Sequence, residues 1–265
     1  MNTYASTLPR PVRNTTLAIY ATETKYELLK IMRMPGYVIP TLAFPLLFYV
    51  MFGLIFGRQS IGSVSLSTYL LATYGAFGVI GASLFGFAVG VSTERGLGWL
   101  QVKRASPMPP GAYLFAKTIV SLIFSGLVLI SLMILGVAFG GVRIQPLTAL
   151  EVVGTLVAGA LPFAAMGLAI GCFSAPNSAP AIVNVLFLPM AFCSGLWLPL
   201  PVLPRIFQVA APFLPPYHLA QLALRLVGAP STGSAAQHVA ALAAFTVAFL
   251  LLARRGFQRE DVRVN

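Results

Sequence analysis

Glu94, Arg95, Lys103 and Arg104 crowd into STERGLGWLQVKRASPMPP, positions 92–110 of a 265-residue chain that holds only 17 Lys and Arg and 6 Asp and Glu. Such side chains can form ion pairs, bind anions or move protons. Nothing around them makes a catalytic constellation. The two histidines, His218 and His238, stand 20 positions apart with no HExxH pattern. The two cysteines, Cys172 and Cys193, lie in apolar runs and read as small packing residues, not as a metal or disulfide framework. No G-x-x-x-x-G-K-[ST] phosphate loop is present, so the chain cannot hydrolyse ATP by itself. By composition alone the charged stretch reads as ordinary charge flanking apolar runs, with a contact surface as the alternative; either way other elements must hold it in place.

Those elements are apolar. The chain is 58% hydrophobic and 9% charged, with a mean hydropathy of +0.87. Soluble domains are nearer a quarter charged, so this is an integral membrane protein. The net charge of +11 sits at the edges of apolar runs. That placement suits anionic lipid and orientation in the bilayer, not nucleic acid. The first apolar run begins only after Arg33, and the leader contains Glu23 and Glu27, unlike a cleavable signal peptide.

A helix needs about 20 apolar residues to cross about 30 Å of hydrocarbon. The stretches free of Asp, Glu, Lys and Arg are 34–57, 59–93, 118–142, 152–204 and 226–253. The fourth is long enough for two crossings and breaks at the turn-rich Ser174–Pro180. The expectation is an all-α polytopic protein with six spans near 37–56, 69–91, 113–139, 149–172, 180–199 and 236–253. Residues 206–224 carry Pro212, Pro215 and Pro216, which argue against a seventh continuous helix. A re-entrant or surface-lying helical hairpin over 200–235 is expected instead. The domains are then a tail and interface helix over 1–36, the spanning region 37–253 with a loop at 92–112, and a basic tail over 254–265.

Arg10, Arg13, Lys25, Lys30, Arg33, Arg95, Lys103, Arg104, Lys117, Arg254, Arg255, Arg259 and Arg263 fall on one side of this arrangement. Arg58, Arg143, Arg205 and Arg225 fall on the other. The imbalance places both termini and the 92–112 loop in the cytoplasm; the expected location is a bacterial plasma (inner) membrane. Before the first span, Leu17, Tyr20, Ala21, Thr24, Leu28 and Ile31 recur on one side of a helix, with Glu23, Glu27, Lys30 and Met34 along the other. This reads as an amphipathic helix at the membrane surface, an anchor that also has a face for a cytoplasmic partner. In the loop, Ser92-Thr93 can cap a short helix with Leu97, Leu100 and Arg104 on one face, stopped by Pro107, Pro109 and Pro110.

The order of amphipathic helix, two spans, Glu94-Arg95-Gly96, Leu100, Arg104, Ser106-Pro107 and Lys117 resembles the permeases of ABC-2-type transporters. Trp99-Leu100-Gln101 departs from the Thr-Leu-Glu of many relatives. The resemblance implies that the loop is a coupling helix for a separate ATPase subunit. Glu94, Arg95, Gly96, Leu97, Leu100, Lys103 and Arg104 would form that contact, with Glu23, Lys25 and Glu27 from the amino-terminal helix. It also implies two permeases, as a homodimer or with a paralogue, and two ATPases that bind the ATP and magnesium; no cofactor is expected in this chain. The substrate path would lie at the dimer axis along the second and fifth spans, with Tyr74, Phe77, Asn184, Phe187 and Phe192 as candidates.

The central portions of the six expected spans lack Asp and Glu, unlike gradient-driven pumps. The absence favours an external ATPase, and an apolar pathway favours an amphiphilic or hydrophobic, drug- or antibiotic-like cargo. Lipid or polysaccharide-linked lipid is the alternative cargo; a non-transporting scaffold or sensor is the alternative class. Four GxxxG pairs, Gly53/Gly57, Gly86/Gly90, Gly136/Gly140 and Gly167/Gly171, suggest close helix packing in a dimer.

Overall fold

The computed structural model describes residues 15–264 apart from Arg58, Pro107 and Pro110; of Arg104 and residues 259–264 it describes the backbone only. Arg10 and Arg13, and the side chains of Arg104, Arg259 and Arg263, weighed above, thus lie outside the described residues. Thr15 caps the first helix, α1 (Thr16–Met32), accepting a hydrogen bond from the Ala18 N–H. Pro35 opens α2 (Pro35–Phe48), where a proline costs nothing because the first N–H groups lack intrahelical partners. Pro40 and Pro45 lie inside α2, and the helix then widens into a π-helical turn over Tyr49–Leu54. A two-residue hairpin pairs β1 (Ser60–Ile61) with β2 (Val64–Ser65) and leads into α3 (Leu66–Gly96), capped by Ser65.

After α3 come α4 (Trp99–Ala105), α5 (Ala112–Ala138), α6 (Pro146–Ala158), α7 (Leu161–Phe173) and α8 (Ala179–Cys193). Then follow α9 (Arg205–Ala210), α10 (Pro215–Leu226) and α11 (Ala235–Val264). α3 is the hub. It is apolar all round, and Leu70, Leu71, Tyr74, Ile80 and Leu84 are fully buried, as expected of a helix with neighbours on every side. α2, α5, α7, α8 and α10 pack around it, and α11 packs on α7.

Among the described residues, five helical runs are long and apolar enough to cross a membrane: Pro35–Leu54, Leu66–Gly96, Ala112–Ala138, Pro146–Phe173 and Ala235–Gln258. The expected span at 149–172 is two helices, broken at Gly159–Ala160 before Pro162. The expected span at 180–199 is helical only to Cys193. Its 15 residues reach about 22 Å, and Gly195, at φ +77°, turns the chain away. In the 200–235 segment α9 is exposed, with Ile206 and Val209 facing outward. α10 is buried against α3, α6 and α11 through Tyr217, Leu219, Ala223 and Leu224.

The GxxxG pairs serve packing within the chain, which corrects their assignment to a dimer. A Cβ on Gly167 would lie 2.6 Å from Leu84 O, and one on Gly171 2.8 Å from Val91 Cβ, so α7 meets α3 almost backbone to backbone. Gly136 and Gly140 make room for the Tyr49 hydroxyl, Gly86 for Tyr37 and Gly57 for Ser67; Gly53 lies against the Tyr49 ring.

Candidate functional site

Four charged side chains from three helices converge at the end of the bundle where α3 finishes. Glu27 and Lys30 lie three residues apart on one face of α1, and the Lys30 ammonium donates to Glu27 Oε2 at 2.6 Å. Lys30 also pairs with Glu94 Oε1 from α3. Lys117 of α5 donates to Glu27 Oε1 at 2.7 Å and to Glu94 Oε1 at 3.1 Å. Lys117, Glu27 and Glu94 are 3%, 5% and 6% exposed. Two carboxylates and two ammonium groups thus alternate and cancel. That is the condition under which buried charge is tolerated, because each desolvated ion needs a close partner.

Several details build this network. Gly90, one turn before Glu94, supplies the space: a Cβ there would sit 2.9 Å from the Lys117 nitrogen. The Tyr113 ring lies 5.1 Å from that ammonium and 4.8 Å from that of Lys103, within cation–π range. Lys103 of α4 pairs with Glu23 of α1. Tyr20 of α1 meets Phe115 of α5 edge to face at 5.1 Å. Burial lowers the pKa of Lys30, but the Glu94 and Glu27 carboxylates outweigh it and hold the group above the ordinary lysine value.

α1 is therefore turned differently from the amphipathic expectation. Its Glu27–Lys30 side faces the bundle beside Ile31, because Lys117 and Glu94 offer buried countercharge there. Its outward face is apolar, with Leu17, Tyr26 and Met32 exposed alongside Lys25.

The loop also departs from its expected shape. Ser92 and Thr93 do not cap a new helix; α3 runs through them to Gly96, and the Ser92 hydroxyl donates back to Val89 O. Arg95 donates to Ser174 O at 3.0 Å, tying the helix end to the turn after α7. A side chain at Gly96 would run into Pro176. Gly98 adopts φ +74°, a left-handed conformation that suits glycine, and redirects the chain into α4. That turn separates Leu97 from Leu100, which were expected on one face. Leu100 is buried among Phe87, Val91 and Tyr113. Leu97 is 66% exposed, and with Trp99 and Val102 it forms an apolar knob. Trp99 and Val102 were missing from the sequence-based set. Their signal was an i, i+3 apolar pair.

A second feature lies along the same helix. α2, α3 and α8 enclose a cleft of about 760 Å³ lined mainly by aromatic and aliphatic side chains. Phe77, Asn184 and Phe187 line it with Gly78 and Gly81; a Cβ on Gly78 would run into Val128 and Pro45, so that glycine lets α3 approach α5 and α2. Phe44 and Asn184 remain exposed, so the cleft is open on one side. Trp197 closes one end by stacking on Phe48 at 5.5 Å and meeting Phe77 at 5.9 Å. Tyr74 and Phe192 do not line the cleft; both buttress Trp197. The Tyr74 hydroxyl donates to Trp197 O at 3.1 Å, and the Phe192 ring meets the indole at 6.2 Å. Among the described residues no three His, Cys, Asp or Glu side chains gather into a metal-binding group.

A family model described as "ABC-2 type transporter" matches residues 20–226. The chain is also 27% identical over 230 residues to "Putative transport permease YvfS" of Bacillus subtilis (strain 168), covering 86% of this chain and 92% of that protein.

Proposed function

The chain belongs to the ABC-2 type transporter family, and from that premise we propose that it is the permease of an exporter driven by a separate ABC ATPase subunit. One observation carries the reading: α3, together with the turn from α1 into α2 at Met34–Tyr37, links the buried ion network to a cavity. Phe77, Gly78, Gly81, Phe85 and Val89 of α3 wall the cleft, and Glu94 of the same unbroken helix sits in the ion network, about 7 Å beyond Val89 and about 25 Å beyond Phe77 along the axis at 1.5 Å per residue. A rigid rod of that length transmits displacement from one end to the other.

The ATPase docks on the Leu97–Trp99–Val102 knob and on the exposed face of α1. Closure of two ATPases around ATP pushes α4 and α1, which the Glu23–Lys103 pair joins. Glu94, Glu27, Lys30 and Lys117 pass the push to α3 and α5 as one unit. Arg95 and Gly96 seat the loop against the 174–176 turn. Two permease copies bring the open sides of their clefts together, and Trp197 forms the outer stop. The apolar lining favours an amphiphilic or hydrophobic cargo, drug- or antibiotic-like, with a lipid-linked cargo as the alternative. The chain crosses the inner membrane six times, with α6–α7 as one crossing, α8 and its continuation to Pro199 as another, and both termini cytoplasmic.

The test is docking. Leu97→Asp and Val102→Asp alter exposed side chains and should leave thermal stability unchanged. Each should reduce, at least tenfold, recovery of the ABC ATPase that co-purifies with the unaltered chain. Undiminished co-purification and substrate-stimulated ATP hydrolysis in the double variant would overturn the assignment.

A further inference from the structure

The chain has only two histidines, and they meet. His218 lies in the first turn of α10 and His238 in the first turn of α11, with their Nδ1 atoms 2.9 Å apart. The other nitrogen of each ring is committed to a backbone carbonyl: His218 Nε2 lies 3.0 Å from Pro212 O, and His238 Nε2 lies 2.7 Å from Thr232 O. A carbonyl only accepts, so each Nε2 carries its hydrogen, and in a neutral ring Nδ1 is then a bare acceptor. Flipping either ring would set a carbon against the carbonyl and lose that bond. Two lone pairs do not face each other at a distance that matches an N–H···N hydrogen bond. One additional proton resolves the conflict.

We infer that His218 and His238 form a proton-binding site, holding one shared proton between their Nδ1 atoms and in that state latching α10 to the start of α11. The proton fits better than a metal. Two nitrogens on a tetrahedral zinc at about 2.0–2.1 Å would stand roughly 3.3 Å apart, and among the described residues no third ligand joins them.

The surroundings leave the charge to the pair. Tyr217 of α10 faces both rings, with centroids at 5.4 and 5.9 Å, and Phe245 of α11 lies 6.4 Å from His218. Arg225, in the last turn of α10, donates to Gly233 O; among the described residues the other charged or titratable groups on packed elements are exposed Glu151 on α6, Tyr69, Tyr74, Glu94 and Arg95 on α3, Cys172 on α7, Cys193 on α8, and Arg254 and Arg255 on α11 itself. Among the described residues no carboxylate bonds to either ring. A second proton would set two cations face to face. Burial resists it and His238 adds to the resistance, while the Pro212 carbonyl favours charge on His218. The latch is therefore engaged over an intermediate pH window and released on both sides of it.

The site lies at the bundle end remote from Lys117, where Ser63, just before α3, donates to Gly228 O. On the proposed orientation that is the outer face, so external pH would set how firmly the outer cap is held.

The unaltered chain in lipid nanodiscs provides the test. Hydrogen exchange at the imidazole C2 position, followed by mass spectrometry from pH 4 to 9, reports each ring separately. A coupled pair gives two steps more than about 1 pH unit apart; two independent midpoints near about 6.5 would overturn the inference. In parallel, thermal midpoints of His218→Ala, His238→Ala and the double variant are compared across the same range. The double variant should lose no more than either single variant inside the window, and the losses should become additive outside it; additivity at every pH would refute the latch. Zinc at one equivalent should leave the midpoint of the unaltered chain in place; a zinc-dependent rise lost in both single variants would replace the proton with a metal. None of these readouts involves ATP, a partner or transport, so their failure is separate from failure of the permease reading.

Discussion

Lys117→Met removes one ammonium from the buried network while keeping side-chain length and packing. In the intact chain Lys117 and Lys30 balance Glu27 and Glu94, three of the four being at most 6% exposed. The variant leaves two buried carboxylates on the half-exposed Lys30 alone, with one negative charge uncompensated. Breaking a buried pair from one side costs about 3–5 kcal/mol, because the remaining ion stays desolvated without its partner. At about 2–4 °C per kcal/mol for a chain of this size, the thermal midpoint should fall by roughly 6–20 °C. Glu27→Gln combined with Lys117→Met restores neutrality, leaving the Lys30–Glu94 pair. That double variant should recover much of the loss, an interaction energy of roughly 2–3 kcal/mol in the cycle. Intrinsic tryptophan fluorescence of the purified chain in nanodiscs during heating reads the midpoint. A Lys117→Met midpoint within about 2 °C of the parent would refute the claim that these four charges depend on one another, since the expected cost translates into a larger shift. So would a double variant that loses the sum of the two single losses.

Gly167→Leu should separate α7 from α3, since even a Cβ would lie 2.6 Å from Leu84 O; overpacking of this kind costs about 1–3 kcal/mol or more, and a normal midpoint and yield would show that α7 sits elsewhere. The Lys30 pKa is raised above the ordinary 10.5, so its contribution is complete below that value and is lost as pH rises through the higher folded value. The thermal midpoint should therefore drop at strongly alkaline pH in the parent and less in Lys30→Arg, whose guanidinium stays charged; identical alkaline profiles would remove Lys30 from the network's energetics.

Run length and charge placement made the membrane class legible from the sequence alone. Hydrocarbon thickness demands apolar stretches of a set length, and that demand is local in sequence. The same locality explains why the apolar runs mark the spanning helices and why the Glu94–Arg104 stretch stood out, whereas the turn at Gly98 within that stretch appeared only in the structure. The partners of Glu94 were another matter. Glu27, Lys30 and Lys117 come from other helices, and only the packing of α1 against α5 brings them together. That packing also turned the charged side of α1 inward, since a buried ammonium selects its carboxylates by position and no periodicity encodes which face finds them. Gly90 as room for Lys117, Gly167 as the α3 contact, and the meeting of His218 with His238 were decided in the same way. Each depends on two segments distant in sequence approaching within a bond length or a van der Waals radius, and composition and spacing carry no information about such an approach.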